Sequence, residues 1–147
     1  MNKIEKSFKK INDIPELNYG GCLIAAYSVY RKVINNPNVR VVQLSKYSND
    51  FEISHNKEFI AGKESKPMPG YHFGITINNG ETIYDSNGIY TNHVNFYIIP
   101  RHKTHEFCKK AILGPYWNNS FNRRHVPEIL KKLKITIKFL NRYGKQK

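Results

Sequence analysis

Cys22, His72 and Asp85 are the residues of this chain whose types and settings could do chemistry. Cys22 stands behind Gly20 and Gly21 in NYGGCLIAAYSVYR, at the head of a run that reads as a buried helix. A thiol at a helix N-terminus faces unpaired backbone N–H groups and the positive end of the helix dipole, which together favour thiolate. A small, readily buried residue that merely opens a core helix is the competing reading. Thiol-based acyl chemistry requires a nucleophile, an imidazole within hydrogen-bond reach, and a third polar group that fixes the imidazole. Cys22, His72 and Asp85 follow that order along the chain.

The elements that must position them can be read from periodicity. Ile4, Phe8 and Ile11 form one stripe over residues 3–12, the mark of an amphipathic helix closed by Asn12 and Asp13 before Pro15. Cys22, Ala25, Ala26, Val29 and Val33 recur at helical spacing over residues 22–34, and Leu23, Ile24, Tyr27, Tyr30 and Ile34 cover much of the remainder, so this helix is central. VRVVQL at 39–44 reads as a strand, and residues 45–70 as a polar, irregular segment. Residues 72–77 and 81–86 alternate around an Asn78-Asn79-Gly80 turn, which predicts a hairpin. At its open end His72 and Asp85 come within side-chain reach as near-diagonal neighbours. HVNFYII at 93–99 supplies a further strand, and helices are expected near 105–113 and from Pro127 to about Asn141. Helices, then an antiparallel sheet, then a closing helix describe an α+β architecture. With no linker, repeat or low-complexity tract, residues 1–147 read as a single domain.

GGCLIAA at 20–26 and HFGITINNGETIYDSNG at 72–88 together resemble the papain-like cysteine peptidase and amidase superfamily, in the compact bacterial or phage forms that include NlpC/P60-like and transglutaminase-like groups. The resemblance implies a papain-like core in which a Cys-bearing helix packs on a small antiparallel sheet. It implies Cys22 as nucleophile, His72 as general base and acid, and Asp85 as the orienting group, with a protein or peptide as substrate. Asn87 is a second candidate orienter, although Asp85 carries the charge that better stabilises imidazolium. Such enzymes commonly place a Gln ahead of the Cys as oxyanion donor. Here the stretch reads PELNYGGC, which leaves Asn18, Tyr19 and the backbone N–H of Cys22 for that task. The chemistry needs no cofactor.

Two other features compete for a role. HKTHEFC brings His102, His105 and Cys108 to three-residue spacing, but Arg101, Lys103, Lys109 and Lys110 crowd it with positive charge, so a solvated face with a buried Cys108 is expected rather than a metal site. The chain carries a formal charge of +13, with nine Lys and Arg against the single Glu128 between Arg123 and Lys147 and none between Pro67 and Tyr97. Arg123, Arg124, Lys131, Lys132, Lys134 and Lys138 could form a basic face for nucleic acid or an acidic protein, the function expected if the fold were not catalytic. Abundant Lys, Asn and Ile, as an AT-rich genome produces, would also explain the charge. Two cysteines without a CxxC pair, no secretory h-region and no run of membrane-spanning length point to a reduced, cytoplasmic setting.

Overall fold

A computed structural model describes residues 2–14, 22–45, 58, 61–63, 72–86, 88–90, 95–113 and 127–134. Helix α1 spans Lys3–Ile11. Its first turn is closed by a reciprocal capping box, in which the Asn2 side chain accepts from the Glu5 N–H at 2.9 Å and Glu5 reaches back to the Asn2 N–H. Ile4, Phe8 and Ile11 are buried along one stripe, as their spacing requires. Helix α2, Cys22–Lys32, is buried at every position from Leu23 to Tyr30. This is the all-round burial expected of a helix with apolar residues on more than one face.

Among the described residues five strands follow: β1 (Arg40–Ser45), β2 (His72–Thr76), β3 (Ile83–Asp85), β4 (Gly88–Tyr90) and β5 (Asn95–Ile98). They form one antiparallel sheet in the order β4-β3-β2-β1-β5. Helix α3, Arg101–Leu113, begins after Pro100, four residues earlier than periodicity suggests. Thr104 steadies its first turn by donating to the Pro100 carbonyl at 3.0 Å. Arg101 donates back to the carbonyls of Ile34 and Asn36, beyond the end of α2.

Strand alternation sorts the core into two unequal parts. Val41, Phe73 and Ile75 join the buried residues of α1, α2 and α3, while Val42, Leu44 and Ile83 form a smaller cluster with Ile98. Successive strand side chains point to opposite faces, so α1, α2 and α3 cover one face of the sheet. Phe73 on β2 meets Phe107 on α3 with ring centroids 6.0 Å apart. The fold is therefore α+β with helices on a small antiparallel sheet.

The β2–β3 hairpin turns through Asn79 and Gly80, both at positive φ, and Thr76 Oγ1 accepts from the Gly80 N–H at 2.9 Å. Gly80 lies against the Phe96 ring, leaving no room for a Cβ. A Cβ at Gly74 would come within 2.7 Å of the Tyr84 carbonyl, so β2 and β3 approach as closely as they do because position 74 is bare.

The short strand β4 has no counterpart in the sequence reading; it arises because Gly88 pairs with Asp85 and carries the chain back along β3. One sequence expectation needs correction. The closing helix does not run unbroken to Asn141. Residues 127–132 are helical, but Leu133 and Lys134 form a turn and Lys134 takes φ +58°, ending the helix as an αL residue does. The β-branched run Ile135-Thr136-Ile137 that follows is poor helix material. Ile129 and Leu130 are buried as expected, whereas Ile137 and Leu140 lie outside the described residues. Among the described residues no helix is long and apolar enough to cross a membrane.

Candidate active site

Antiparallel pairing puts the start of β2 and the end of β3 at the same end of the sheet. Ile75 faces Tyr84, so continuing the register sets Gly74 opposite Asp85 and makes His72 its diagonal neighbour. Helix α2 packs chiefly on β2, and its N-terminus arrives at this end with Cys22 as its first residue. The result is a chain of contacts through one imidazole. His72 Nε2 hydrogen-bonds Asp85 Oδ2, and the Cys22 sulfur is a second side-chain hydrogen-bond partner of the ring.

Asp85 is held from its other side as well. Its Oδ1 accepts from the Gly88 N–H at 3.0 Å, so the turn into β4 orients the carboxylate that orients the imidazole. The Asp85 side chain is only 2 % exposed and that of His72 13 %, whereas Cys22 is partly exposed. Such a gradient suits a nucleophile open to a substrate and a supporting carboxylate that is not.

Electrostatics follow from these contacts. Burial, the largest single influence on His72, pulls its pKa down, but the hydrogen bonds to Asp85 and Cys22 and the charges of both outweigh it and raise the group from 6.5 to about 9. His72 is thus imidazolium throughout the neutral range. A cation beside a sulfur at a helix N-terminus is the environment that activates cysteine.

The second cysteine lies in different surroundings. Cys108 is fully buried in α3, and burial pushes its thiol up. The expectation of a solvated face around it is half right: His102 is exposed, but His105 is 2 % exposed and its Nδ1 lies 2.6 Å from the Tyr27 hydroxyl. A buried phenol on α2 satisfies the ring that sequence alone assigned to water. Among the described residues no three His, Cys, Asp or Glu converge as metal ligands.

Of the remaining sequence candidates, Asn18, Tyr19, Asn87, Arg123, Arg124 and Lys138 lie outside the described residues. Lys131, Lys132 and Lys134 are exposed. Lys132 and Lys134 line a cavity together with Lys10, Arg31 and Lys32, three cations that sequence reasoning did not connect with them. No local signal could have done so, because the cavity joins distant parts of the chain. Gly88 was also missed as the residue that secures Asp85.

Compared with known proteins, the chain matches no family model, no curated protein and no solved structure.

Proposed function

We propose that this protein is a thiol-dependent hydrolase or acyltransferase of the papain-like kind, acting on an amide or peptide bond through Cys22, His72 and Asp85. The observation that carries the reading is the pairing of a partly exposed helix-terminal thiol with an imidazole anchored to a buried carboxylate. Ordinary cores do not assemble these three groups, because burying a carboxylate and an imidazolium is costly unless they serve each other.

In this mechanism the Cys22 thiolate attacks the carbonyl carbon, forming a C–S bond and a tetrahedral oxyanion. Backbone N–H groups in the first turn of α2, which have no acceptor within the helix, are suited to receive that charge. Collapse of the intermediate breaks the C–N bond as His72 gives its proton to the leaving amine. The thioester is then attacked by water, or by a second amine, whose proton passes to the now neutral His72. Collapse of this second intermediate breaks the C–S bond, releasing the acid or new amide and returning the Cys22 thiolate. Asp85 fixes the ring and stabilises the imidazolium at both ends of the cycle.

Exposure to p-nitrophenyl acetate tests the reading. A burst of nitrophenolate equal to the protein concentration, with an acetyl thioester mapped to Cys22 by mass spectrometry and absent in Cys22→Ala, is the expected result. Acetylation confined to lysines, with no burst, would refute it.

A further inference from the structure

The far end of α2 carries a second feature. Cys22 begins that helix and Lys32 ends it, a separation of about 15 Å at 1.5 Å per residue. There a cavity of about 560 Å³ is lined by Lys10, Arg31, Lys32, Lys132 and Lys134 over the apolar side chains of Ile11 and Leu133. Among the described residues lining it there is no carboxylate.

Helix dipoles explain part of this arrangement and not the rest. Lys10 lies in the last turn of α1, and Arg31 and Lys32 in that of α2, where cations offset the negative ends of the helices. That account does not require a third segment to bring in Lys132 and Lys134. Nor does it explain Lys134, an L-residue at φ +58° where glycine would sit without strain. The crowding is felt within the cluster: burial, then Lys10, then Arg31 lower the pKa of Lys32. Lys10, Lys32 and Lys134, from three separate parts of the chain, bring like charges to one cavity, where an anion would lower their repulsion.

We propose that this cavity binds a small polyphosphate anion, with Lys10, Lys32 and Lys134 as its ligands. A chain of several phosphates can meet all three lysines at once, which a single carboxylate cannot. The cavity volume falls within the range of about 300–1,000 Å³ typical of small-ligand sites. Ile11 and Leu133 offer an apolar surface to whatever organic group the phosphates carry. The site is separate from the Cys22 cluster and does not depend on its chemistry.

Calorimetric titration of the full chain with inorganic tripolyphosphate tests the proposal, with a nucleoside triphosphate and citrate in parallel. Saturable one-to-one binding of tripolyphosphate, weakened as salt is raised, is expected. Lys134→Gly and Lys32→Ser should each weaken it about tenfold, as loss of one charge-assisted contact does, while Lys63→Ser, on an exposed pair that does not line the cavity, leaves it unchanged. Lys134→Gly also relieves the backbone strain, so its thermal midpoint should hold or rise, separating lost binding from lost folding. Equal binding of the two phosphates assigns the site to the phosphate chain alone, and tighter binding of the nucleoside triphosphate adds contact with its organic part. Binding that never saturates, that survives both cavity substitutions, or that citrate matches would overturn the proposal. So would an oligonucleotide that binds tightly and that tripolyphosphate fails to displace.

Discussion

Two places in this molecule bring histidine and cysteine onto or beside α2, and they have opposite characters. At its N-terminus, Cys22 is partly exposed and meets a His72 that is tied to a buried carboxylate. Farther along, Tyr27 holds His105 on α3, one turn from the fully buried Cys108. The first imidazole has an anion to stabilise its charge. The second meets a phenol, which offers a hydrogen bond but no formal charge. Residue types are therefore a poor guide to reactivity, and exposure of the sulfur together with the charge beside the imidazole is a better one.

The comparison can be broken most sharply by an electrophile. In the folded protein iodoacetamide should modify Cys22 and leave Cys108 untouched until denaturant is added, with Cys22→Ala abolishing native-state labelling altogether, as peptide mapping would read. Comparable labelling of Cys108 would erase the distinction. Replacing the first imidazole comes next: His72→Ala should slow acyl-enzyme formation by about 10²–10⁴-fold, the usual worth of a positioned acid–base group, in stopped-flow burst experiments. His105→Gln should leave the burst rate per folded molecule intact.

Asp85→Asn removes the charge but little of the shape, and a loss of up to about 10⁴-fold is expected from the mis-set ring and the weakened imidazolium. Because Asp85 helps hold His72 at about 9, the alkaline limb of the pH–rate profile should move to lower pH in this variant. The same linkage reaches stability. His72 has a folded pKa above its ordinary 6.5, so its contribution, roughly 3 kcal/mol, is fully present below pH 6.5 and fades as pH rises through about 9. Urea unfolding at pH 6 and pH 9.5 should show that decline, and Asp85→Asn should flatten it. The smallest effect belongs to the inner pair: Tyr27→Phe should lower stability by about 1–3 kcal/mol by depriving a buried histidine nitrogen of that hydroxyl, without altering Cys22 labelling.

Much of this contrast was legible before any coordinates. The Cys22 helix, the hairpin carrying His72 and Asp85, and the α1 stripe all follow from local periodicity and turn residues, which specify local structure strongly. What escaped notice depends on contacts between distant segments. His105 looked solvated because its partner Tyr27 is far away in sequence, and β1 between β2 and β5 could not be placed from its own residues. The start of α3 was obscured by the polar run RHKTH, whose Arg101 reaches the carbonyls beyond α2 instead of water. The break at Lys134 went unseen because the apolar spacing continues past it, and periodicity does not register backbone strain. The basic residues Lys132 and Lys134 were noticed as charge, but the other half of their cavity comes from α1 and α2.

The central claim is that His72, anchored by Asp85, activates the Cys22 sulfur. The most direct measurement is the rate of Cys22 alkylation by iodoacetamide at pH 6, in the native protein and in His72→Ala. The account predicts rapid modification in the former and at least a tenfold slower reaction in the latter. Equal rates in both, no faster than those of an unstructured cysteine peptide, would contradict it.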